Sequence, residues 1–146
     1  MATKEPQNFA DHLEIQQVIN LYASSIDKRQ WSALEGVFTE DAVANFIGIG
    51  EFEGREAIAG LISSVLMQCS VTQHLLGNIN IEVSGDTAKA TCYLSALHVG
   101  IGDYAAEMLT VWGEYSDELV RTADGWRIAH RTLNSQHATG DIGLNG

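Results

Sequence analysis

Hydrophobic residues recur at helical spacing in the first part of the chain. One apolar stripe repeats every third or fourth position and predicts a long amphipathic helix, its members being Ile15, Val18, Ile19, Tyr22 and Ile26. Asp11 and Glu14 have the spacing of a capping box, which favours a helix start at Asp11. The sequence therefore opens with a helix, preceded by an N-terminal arm of residues 1–10.

Two further helices are predicted before the pattern changes. Trp31, Leu34 and Phe38 share one face of a short helix, and a third amphipathic helix runs from Arg55 to Met67. The segment 41–53 between them mixes apolar residues with glycines and is typical of extended or hairpin structure.

After Cys69 the apolar residues alternate with polar ones, which is the period of a β-strand. Strands are predicted over residues 79–83, 88–98, about 107–120 and 126–134, with turns at Ser84–Asp86 and Thr122–Gly125. Helices followed by a mostly antiparallel sheet indicate the α+β class. The last segment, 135–146, is glycine-rich and aperiodic, so it is predicted to be a tail.

Length and charge narrow the class of protein. A chain of 146 residues is the size of a single domain, taken here as residues 1–146. Eight basic against 19 acidic residues give a net charge of −11, which argues against nucleic-acid and anionic-membrane partners. Cys69 and Cys92 have no metal-site or disulfide spacing, and no signal peptide or membrane span is visible. A cytoplasmic location is expected.

Several polar side chains are predicted to face the interior. Tyr22 lies on the buried helix stripe, Asp27 follows Ile26, and His98 ends the inward face of its strand. Taken singly, Tyr22 and His98 are more often satisfied core residues, and Asp27 would pair with Lys28 or Arg29 at the surface. Two histidines beside apolar residues, His98 and His74, favour an inward-facing polar cavity instead.

The remaining candidates limit the chemistry. An inward Arg131 would need a carboxylate or a ligand, whereas an outward Arg131 would be an ordinary surface residue. The five histidines lack metal-ligand spacing, and no phosphate-binding glycine loop or nucleophile elbow is present. The expectation is therefore no metal and no cofactor, but acid–base chemistry built from Tyr, Asp, His and Arg.

The order of several short motifs resembles the SnoaL-like branch of the nuclear transport factor 2-like superfamily. The resemblance covers about residues 11–131 and rests on Tyr22 with residues 26–30, 38–41, 53–58, 72–74, 85–88 and 124–128. It implies a cone-shaped α+β barrel, in which a curved and mostly antiparallel sheet wraps around N-terminal helices and forms an apolar pocket. Homo-oligomers, trimers or dimers, are usual there.

Within that superfamily the pattern is similar to the lyases scytalone dehydratase, bile acid 7α-dehydratase and hexachlorocyclohexane dehydrochlorinase. Asp27 and His74 match the Asp–His pair that these enzymes share. Arg131 matches a pocket arginine, and His98 the second histidine of scytalone dehydratase. At position 22 the dehydrochlorinase pattern has lysine, whereas the bile acid dehydratase pattern has tyrosine as here, which favours loss of water over loss of halide.

The resemblance implies a role for each of these residues. His74 would remove a proton from carbon, with Asp27 orienting its ring. Tyr22 would polarise a carbonyl, Arg131 would stabilise negative charge, and His98 would protonate the leaving oxygen. The pocket walls are predicted to include Phe46, Met67, Leu94, Met108, Val111, Trp112 and Tyr115. Residues 135–146 would cover the pocket as a lid.

The function predicted is that of a cofactor-independent dehydratase acting on a small hydrophobic hydroxy-carbonyl compound. The alternatives are an isomerase of the ketosteroid-isomerase kind, a polyketide cyclase, or a non-catalytic ligand-binding or scaffolding protein, which includes the small subunit of a ring-hydroxylating dioxygenase. A dehydrochlorinase is less favoured because of Tyr22.

Overall fold

The computed structural model describes residues 6–144, and helix α1 spans Pro6–Asp27. The expected arm over residues 1–10 is therefore helical from Pro6, and residues 1–5 lie outside the described part. The capping-box prediction was wrong, because both carboxylates lie inside α1 and bind the sheet. Asp11 accepts a hydrogen bond from Arg121 Nη1 at 2.7 Å, and Glu14 Oε2 accepts one from the backbone N–H of Trp126 at 2.6 Å.

The apolar stripe of α1 is buried as its period predicts. All five of its members are almost inaccessible to solvent, and they pack against the concave face of the sheet: Ile15, Val18, Ile19, Tyr22 and Ile26. The stripe thus fixes the rotation of α1, and with it the direction of the residues at its C-terminal end.

The segment after α1 contains one correction. A 3₁₀ helix spans Trp31–Gly36 and ends before Phe38, which instead begins strand β1 (Phe38–Phe46). Phe38 is fully buried there. Its apolar side chain belongs to the core at the start of a strand, not to the face of a helix. The predicted hairpin is formed by β1 and β2 (Gly50–Glu53), and helix α2 spans Arg55–Leu66.

Four long strands complete the chain. They are β3 (Val71–Ser84), β4 (Thr87–Val99), β5 (Met108–Thr122) and β6 (Gly125–Gly140), with a 3₁₀ turn at Gly102–Tyr104 before β5. Residues 135–140, expected in the tail, continue β6 and pair with β5. The strand signal was missed because most of these residues are exposed and carry no hydrophobic alternation.

The six strands form one curved sheet that is not closed, in the order β2-β1-β6-β5-β4-β3. All neighbours are antiparallel except β1 and β6, which are parallel. Register shifts of the bulge type occur in the β1–β6, β3–β4 and β5–β6 pairings, and such bulges increase strand twist. The predicted α+β cone is confirmed. No helix within residues 6–144 has both the length and the apolarity to cross a membrane.

Candidate active site

The helices and the concave side of the sheet line a cavity of about 260 Å³. Its walls are almost entirely aliphatic or aromatic, and among residues 6–144 no Lys, Arg, Asp or Glu side chain lines it. The polar lining residues are two histidines, two tyrosines and a serine: His74, His98, Tyr22, Tyr115 and Ser135. A few polar groups in an apolar hollow are typical of a small-molecule site.

Asp27 and His74 form a hydrogen-bonded pair at the edge of this cavity. Asp27 Oδ1 lies 2.8 Å from His74 Nδ1, and Asp27 Oδ2 accepts the backbone N–H of His74 at 2.8 Å. An ionised carboxylate only accepts hydrogen bonds, so Nδ1 carries the ring proton. His74 lines the cavity, and Nε2 is the ring nitrogen left to act there as a proton acceptor.

Local structure explains why Asp27 is available to His74. Asp27 is the last residue of α1, where the helix dipole disfavours a negative charge, so the carboxylate needs several donors. Burial acts to raise the pKa of Asp27, but hydrogen bonds from the side chain and backbone of His74 and from Thr72 outweigh it, and the pKa lies below its ordinary value. Asp27 is thus held as an anion.

His98 faces the same cavity from β4. Its ring lies edge-on to that of His74, with 5.7 Å between centroids, and its Nδ1 lies 3.2 Å from the carbonyl oxygen of Leu109. Burial, followed by the proximity of His74, lowers the pKa of His98. The ring is therefore neutral near pH 7, with its proton on Nδ1. His98 was predicted to donate a proton to the leaving oxygen, whereas this arrangement gives the cavity an acceptor.

Two tyrosines stand together at the cavity wall. Tyr22 and Tyr115 meet edge to face with 5.7 Å between ring centroids. Burial raises the pKa of both phenols, and the positive charge of Arg131 opposes this only in part. Both residues therefore keep their hydroxyl protons. Tyr115 donates its proton to the Tyr22 oxygen, so the Tyr22 proton is the one left for an oxygen atom of a ligand.

Arg131 points inward but does not reach the cavity, which corrects the prediction of a pocket arginine. It is 0% exposed, and its Nε and Nη2 donate to the two carboxylate oxygens of Asp117 at 2.7 and 2.8 Å. Its guanidinium also packs over the rings of Tyr22 and Tyr115, at 4.3 and 3.9 Å from their centroids. Asp117 supplies the carboxylate that an inward Arg131 requires, and the pair supports the tyrosines from behind.

The predicted wall residues divide into two groups. Phe46, Leu94, Val111 and Tyr115 line the cavity. Met67, Met108 and Trp112 do not, being 62%, 56% and 39% exposed. On β5 the inward residues are Leu109, Val111 and Tyr115, and strand alternation turns Met108 and Trp112 to the opposite face. Met67 lies just beyond the end of α2 and faces solvent.

The end of the described chain lies against the cavity. Ile142 is buried and Leu144 contributes to the lining. Gly143 has φ +69°, and a Cβ built there would lie 2.5 Å from the ring of Tyr104. A glycine is therefore required for this segment to lie as close to the Gly102–Tyr104 turn as it does.

Sequence reasoning missed three residues that support the site. Asp117 lies on β5 at the same parity as Val111 and Tyr115, so alternation indicates an inward carboxylate. Thr72 precedes His74 by two positions and shares its face. Arg29 was considered only as a surface partner of Asp27, and no spacing rule indicates the contacts that its side chain makes with other elements.

These features define a small α+β domain with an apolar cavity and a histidine–aspartate pair at its edge. The chain belongs to the SnoaL-like domain family, whose model matches residues 7–132. It is 40% identical over 124 residues to Rv2910c, an uncharacterized protein of Mycobacterium tuberculosis, and the match covers 84% of this chain and 83% of the relative. The predicted family is thereby confirmed.

Solved structures share the architecture. A proposed aromatic ring hydroxylase of Novosphingobium aromaticivorans is 30% identical, with TM-score 0.83 over 95% of this chain and 97% of that one. LinA is 23% identical, with TM-score 0.83 over 94% of each chain. A proposed scytalone dehydratase of Novosphingobium aromaticivorans is 22% identical, with TM-score 0.82 over 90% and 88%. At these identities LinA and the dehydratase establish the fold alone.

Proposed function

We propose that this protein is a cofactor-independent lyase, a dehydratase that removes water from a small hydrophobic hydroxy-carbonyl compound. The observation that carries the proposal is the 2.8 Å contact between His74 Nδ1 and Asp27 Oδ1 at the wall of an apolar cavity. The names of two proteins with the same fold, a hexachlorocyclohexane dehydrochlorinase and a proposed scytalone dehydratase, agree with elimination chemistry.

His74 acts as the general base. Its Nε2 takes a proton from the carbon next to the substrate carbonyl, and the negative charge of Asp27 stabilises the imidazolium that forms. The Asp27 carboxylate also fixes the ring tautomer, so the accepting nitrogen faces the cavity before substrate binds. A solvated surface histidine would have neither advantage.

Tyr22 stabilises the carbonyl oxygen as it gains charge, and Tyr115 supports it. Both residues line the cavity, Tyr115 donates to the Tyr22 oxygen, and the Tyr22 hydroxyl is left to donate to the substrate. A donor already in place lowers the cost of enolate formation. Arg131 contributes through them, since its buried cation lies behind both rings. Arg131 is therefore a positioning residue in this mechanism.

The departing hydroxyl is oriented by His98 and protonated by His74. Nε2 of neutral His98 accepts the hydrogen bond of the substrate hydroxyl. When the carbon–oxygen bond breaks, the oxygen leaves with its electron pair and receives the proton held on His74 Nε2. One C–H bond and one C–O bond are lost, a C=C bond and water are formed, and His74 returns to its starting state.

The cavity limits what can enter. At about 260 Å³ it is small for a ligand pocket, which suits a compact compound of one or two rings. Without a charged side chain on its walls, the site disfavours carboxylates and phosphates, because a buried ion needs a partner. The substrate we propose is uncharged, with a carbonyl and a hydroxyl on an apolar body.

The proposal is tested by incubating the protein with a panel of neutral cyclic β-hydroxy ketones. Loss of one water is followed by mass spectrometry, and formation of the conjugated ketone by ultraviolet absorbance. His74→Ala should abolish turnover while the protein still binds the product, measured by changes in its NMR spectrum. Chlorinated analogues of the same ring size serve as the dehydrochlorinase comparison.

The same assay separates the alternative functions. An isomerase or cyclase would change the absorbance of suitable ketones without loss of mass as water. If the protein only binds ligands or acts as a scaffold, wild type and His74→Ala would bind the panel compounds with equal affinity, and neither would turn them over. Either result would replace the dehydratase proposal.

We also propose that the protein is a cytoplasmic homo-oligomer formed through the convex face of the sheet. At one end of β3, β4 and β5, three cross-strand rows on this face contain no charged residue: Val71–Val99–Met108, Gln73–Leu97–Thr110 and Leu75–Ser95–Trp112. Several of these side chains are large, apolar and exposed. A chain of net charge −11 repels its own copies, so an uncharged face is where a second copy fits best.

A further inference from the structure

The turn after α1 places an arginine where glycine is usual. Arg29 has φ +60°, in the left-handed region that commonly ends helices and that a side chain other than glycine adopts at a cost. Its backbone N–H donates to the carbonyl oxygen of Ile26 at 3.1 Å, which closes the turn. Strained backbone conformations are common at functional sites, so the contacts of the Arg29 side chain bear on the candidate active site.

The guanidinium of Arg29 joins three elements. Nη1 lies 3.0 and 3.2 Å from the carbonyl oxygens of Ile26 and Asp27 at the end of α1, and 2.7 Å from Thr72 Oγ1 on β3. Nη2 lies 3.2 and 3.4 Å from the carbonyl oxygens of Leu66, the last residue of α2, and of Cys69, just after it. The side chain thus supplies a further donor to carbonyl groups at the C-terminal ends of both helices, where the regular helical hydrogen bonds stop.

Thr72 stands between this cation and Asp27. Its Oγ1 accepts from Arg29 Nη1, and it lies 3.0 Å from Asp27 Oδ1. Because a guanidinium can only donate and a threonine hydroxyl has one proton, that proton points to Asp27. The hydrogen bonds therefore run in one direction, from Arg29 through Thr72 to Asp27, where the His74 ring donates from the other side.

We propose that Arg29 and Thr72 are positioning residues for the Asp27–His74 pair. Thr72 fixes the rotation of the carboxylate through its hydrogen bond, and the Arg29 cation strengthens that bond by donating to the same hydroxyl. The inference rests on the proposed function, since it assigns a catalytic purpose to that pair. This role explains why residue 29 is an arginine, although glycine would adopt the same backbone conformation without strain.

Fixing the carboxylate has a chemical consequence. With Oδ1 held by Thr72 and Oδ2 held by the backbone N–H of His74, Asp27 cannot rotate away when the His74 ring becomes charged. Preorganised groups of this kind do not reorganise during the reaction. The hydroxyl of Thr72 also favours the ionised form of Asp27.

The test is a pH titration of the Asp27 carboxyl carbon by ¹³C NMR, without substrate, in wild type, Thr72→Val and Thr72→Ser. Valine has the shape of threonine but no hydroxyl, and it favours β-strand structure, so the fold should survive, as checked by circular dichroism. The midpoint should rise by about one pH unit in Thr72→Val, the size expected for loss of a hydrogen bond to a charged group. Thr72→Ser should stay near wild type.

The cation is tested with two variants that remove the same charge. Arg29→Met should raise the Asp27 midpoint, whereas Lys28→Met, at an exposed neighbour, should change it little. Equal midpoints in wild type and Thr72→Val, with the fold intact, would overturn the proposal. So would equal shifts in Arg29→Met and Lys28→Met, which would indicate an effect of net charge alone.

Activity provides the second measurement. On any panel compound that is turned over, Thr72→Val should lower kcat by about 10-fold to 100-fold and move the acid limb of the pH profile upward. A residue needed only for packing would lower kcat without moving that limb, which would contradict the proposal. If no compound is turned over but the NMR midpoints shift as expected, the proposed dehydratase function fails and the positioning of Asp27 stands.

Discussion

Asp27 accepts two hydrogen bonds from a single residue, His74: one from the ring at Nδ1 and one from the backbone N–H, both at 2.8 Å. The second contact ties the end of α1 to the start of β3 and keeps the carboxylate beside the His74 backbone. The placement of the acceptor for the histidine ring is therefore a property of the fold.

The first prediction is that Asp27→Asn lowers kcat by about a hundredfold to ten-thousandfold on a substrate found in the panel. Asparagine keeps the shape but removes the charge that stabilises the imidazolium, and its amide can turn the His74 ring to the wrong tautomer. Steady-state kinetics measure the change.

Asp124→Asn is the matched control for this variant. Asp124 is exposed in the β5–β6 turn and does not line the cavity, and its replacement should leave kcat within a factor of about two, as for an ordinary surface substitution. If Asp27→Asn were as active as Asp124→Asn, the Asp–His mechanism would be wrong.

The second prediction concerns His98 and acid stability. The lowered pKa of buried His98 means that the unfolded chain takes up its proton at a higher pH than the folded protein does. As pH falls below about 6.5, His98 therefore reduces the free energy of unfolding, and the loss is complete once the folded-state pKa is passed. In His98→Asn this contribution is absent, and stability should fall less steeply with acid.

Urea unfolding at several pH values between about 8 and 5 measures this difference. Above about pH 7.5 the two proteins should have parallel pH dependence, since His98 is then neutral in both folded and unfolded chains. If the free energy of unfolding fell equally steeply with acid in wild type and His98→Asn below about pH 6.5, burial would not disfavour the protonated form of His98.

Periodicity accounts for most of what the sequence could predict. The stripe from Ile15 to Ile26 and the alternation that ends at His98 both follow from burying one face of an element, so helix rotation and strand facing are readable in advance. The same rule would have turned Met108 and Trp112 outward, because they cannot share a strand face with Val111 and Tyr115. Met108 and Trp112 were expected in the cavity wall because they are large and apolar, but their even-numbered positions on β5 place them on the opposite face.

The partner of Arg131 could not be predicted from the periodicity of the sequence. From the turn pair Thr122 and Gly125, an unbroken hairpin would place Asp117 opposite His130. A one-residue shift between Glu118 and Leu119 moves Asp117 opposite Arg131 instead. Nothing in the local sequence marks that bulge, so the buried ion pair, and the placement of Arg131 behind the tyrosines, required the three-dimensional structure.

The third prediction is that Arg131→Met destabilises the protein by about 3–5 kcal/mol, because it leaves the Asp117 carboxylate buried without its partner. The double variant Arg131→Met with Asp117→Leu removes both charges and should recover a large part of that loss. Urea unfolding near neutral pH measures both. A single variant as stable as wild type would mean that Asp117 finds another partner or becomes protonated.

The fourth prediction tests the convex face of the sheet as an oligomer interface. Leu75→Glu puts a carboxylate at an exposed position on this uncharged face, and it should shift the mass measured by sedimentation equilibrium towards the monomer. Leu13→Glu is the matched control, since Leu13 is also exposed but lies on α1. A Leu75→Glu protein with wild-type mass would place the interface elsewhere or exclude it.

The fifth prediction concerns the segment that ends at Leu144. At Gly143, with φ +69°, an added methyl group would meet the ring of Tyr104, so Gly143→Ala should displace the segment and take Leu144 out of the cavity wall. If the segment 141–144 acts as a lid, ligand affinity should fall severalfold while the free energy of unfolding changes by no more than about 1 kcal/mol, because few core contacts are lost. Ala138→Gly, at an exposed position on β6, provides the control for altered chain flexibility. Unchanged affinity in Gly143→Ala, together with faster proteolysis after Gly140, would show that the segment moves but does not control entry to the cavity.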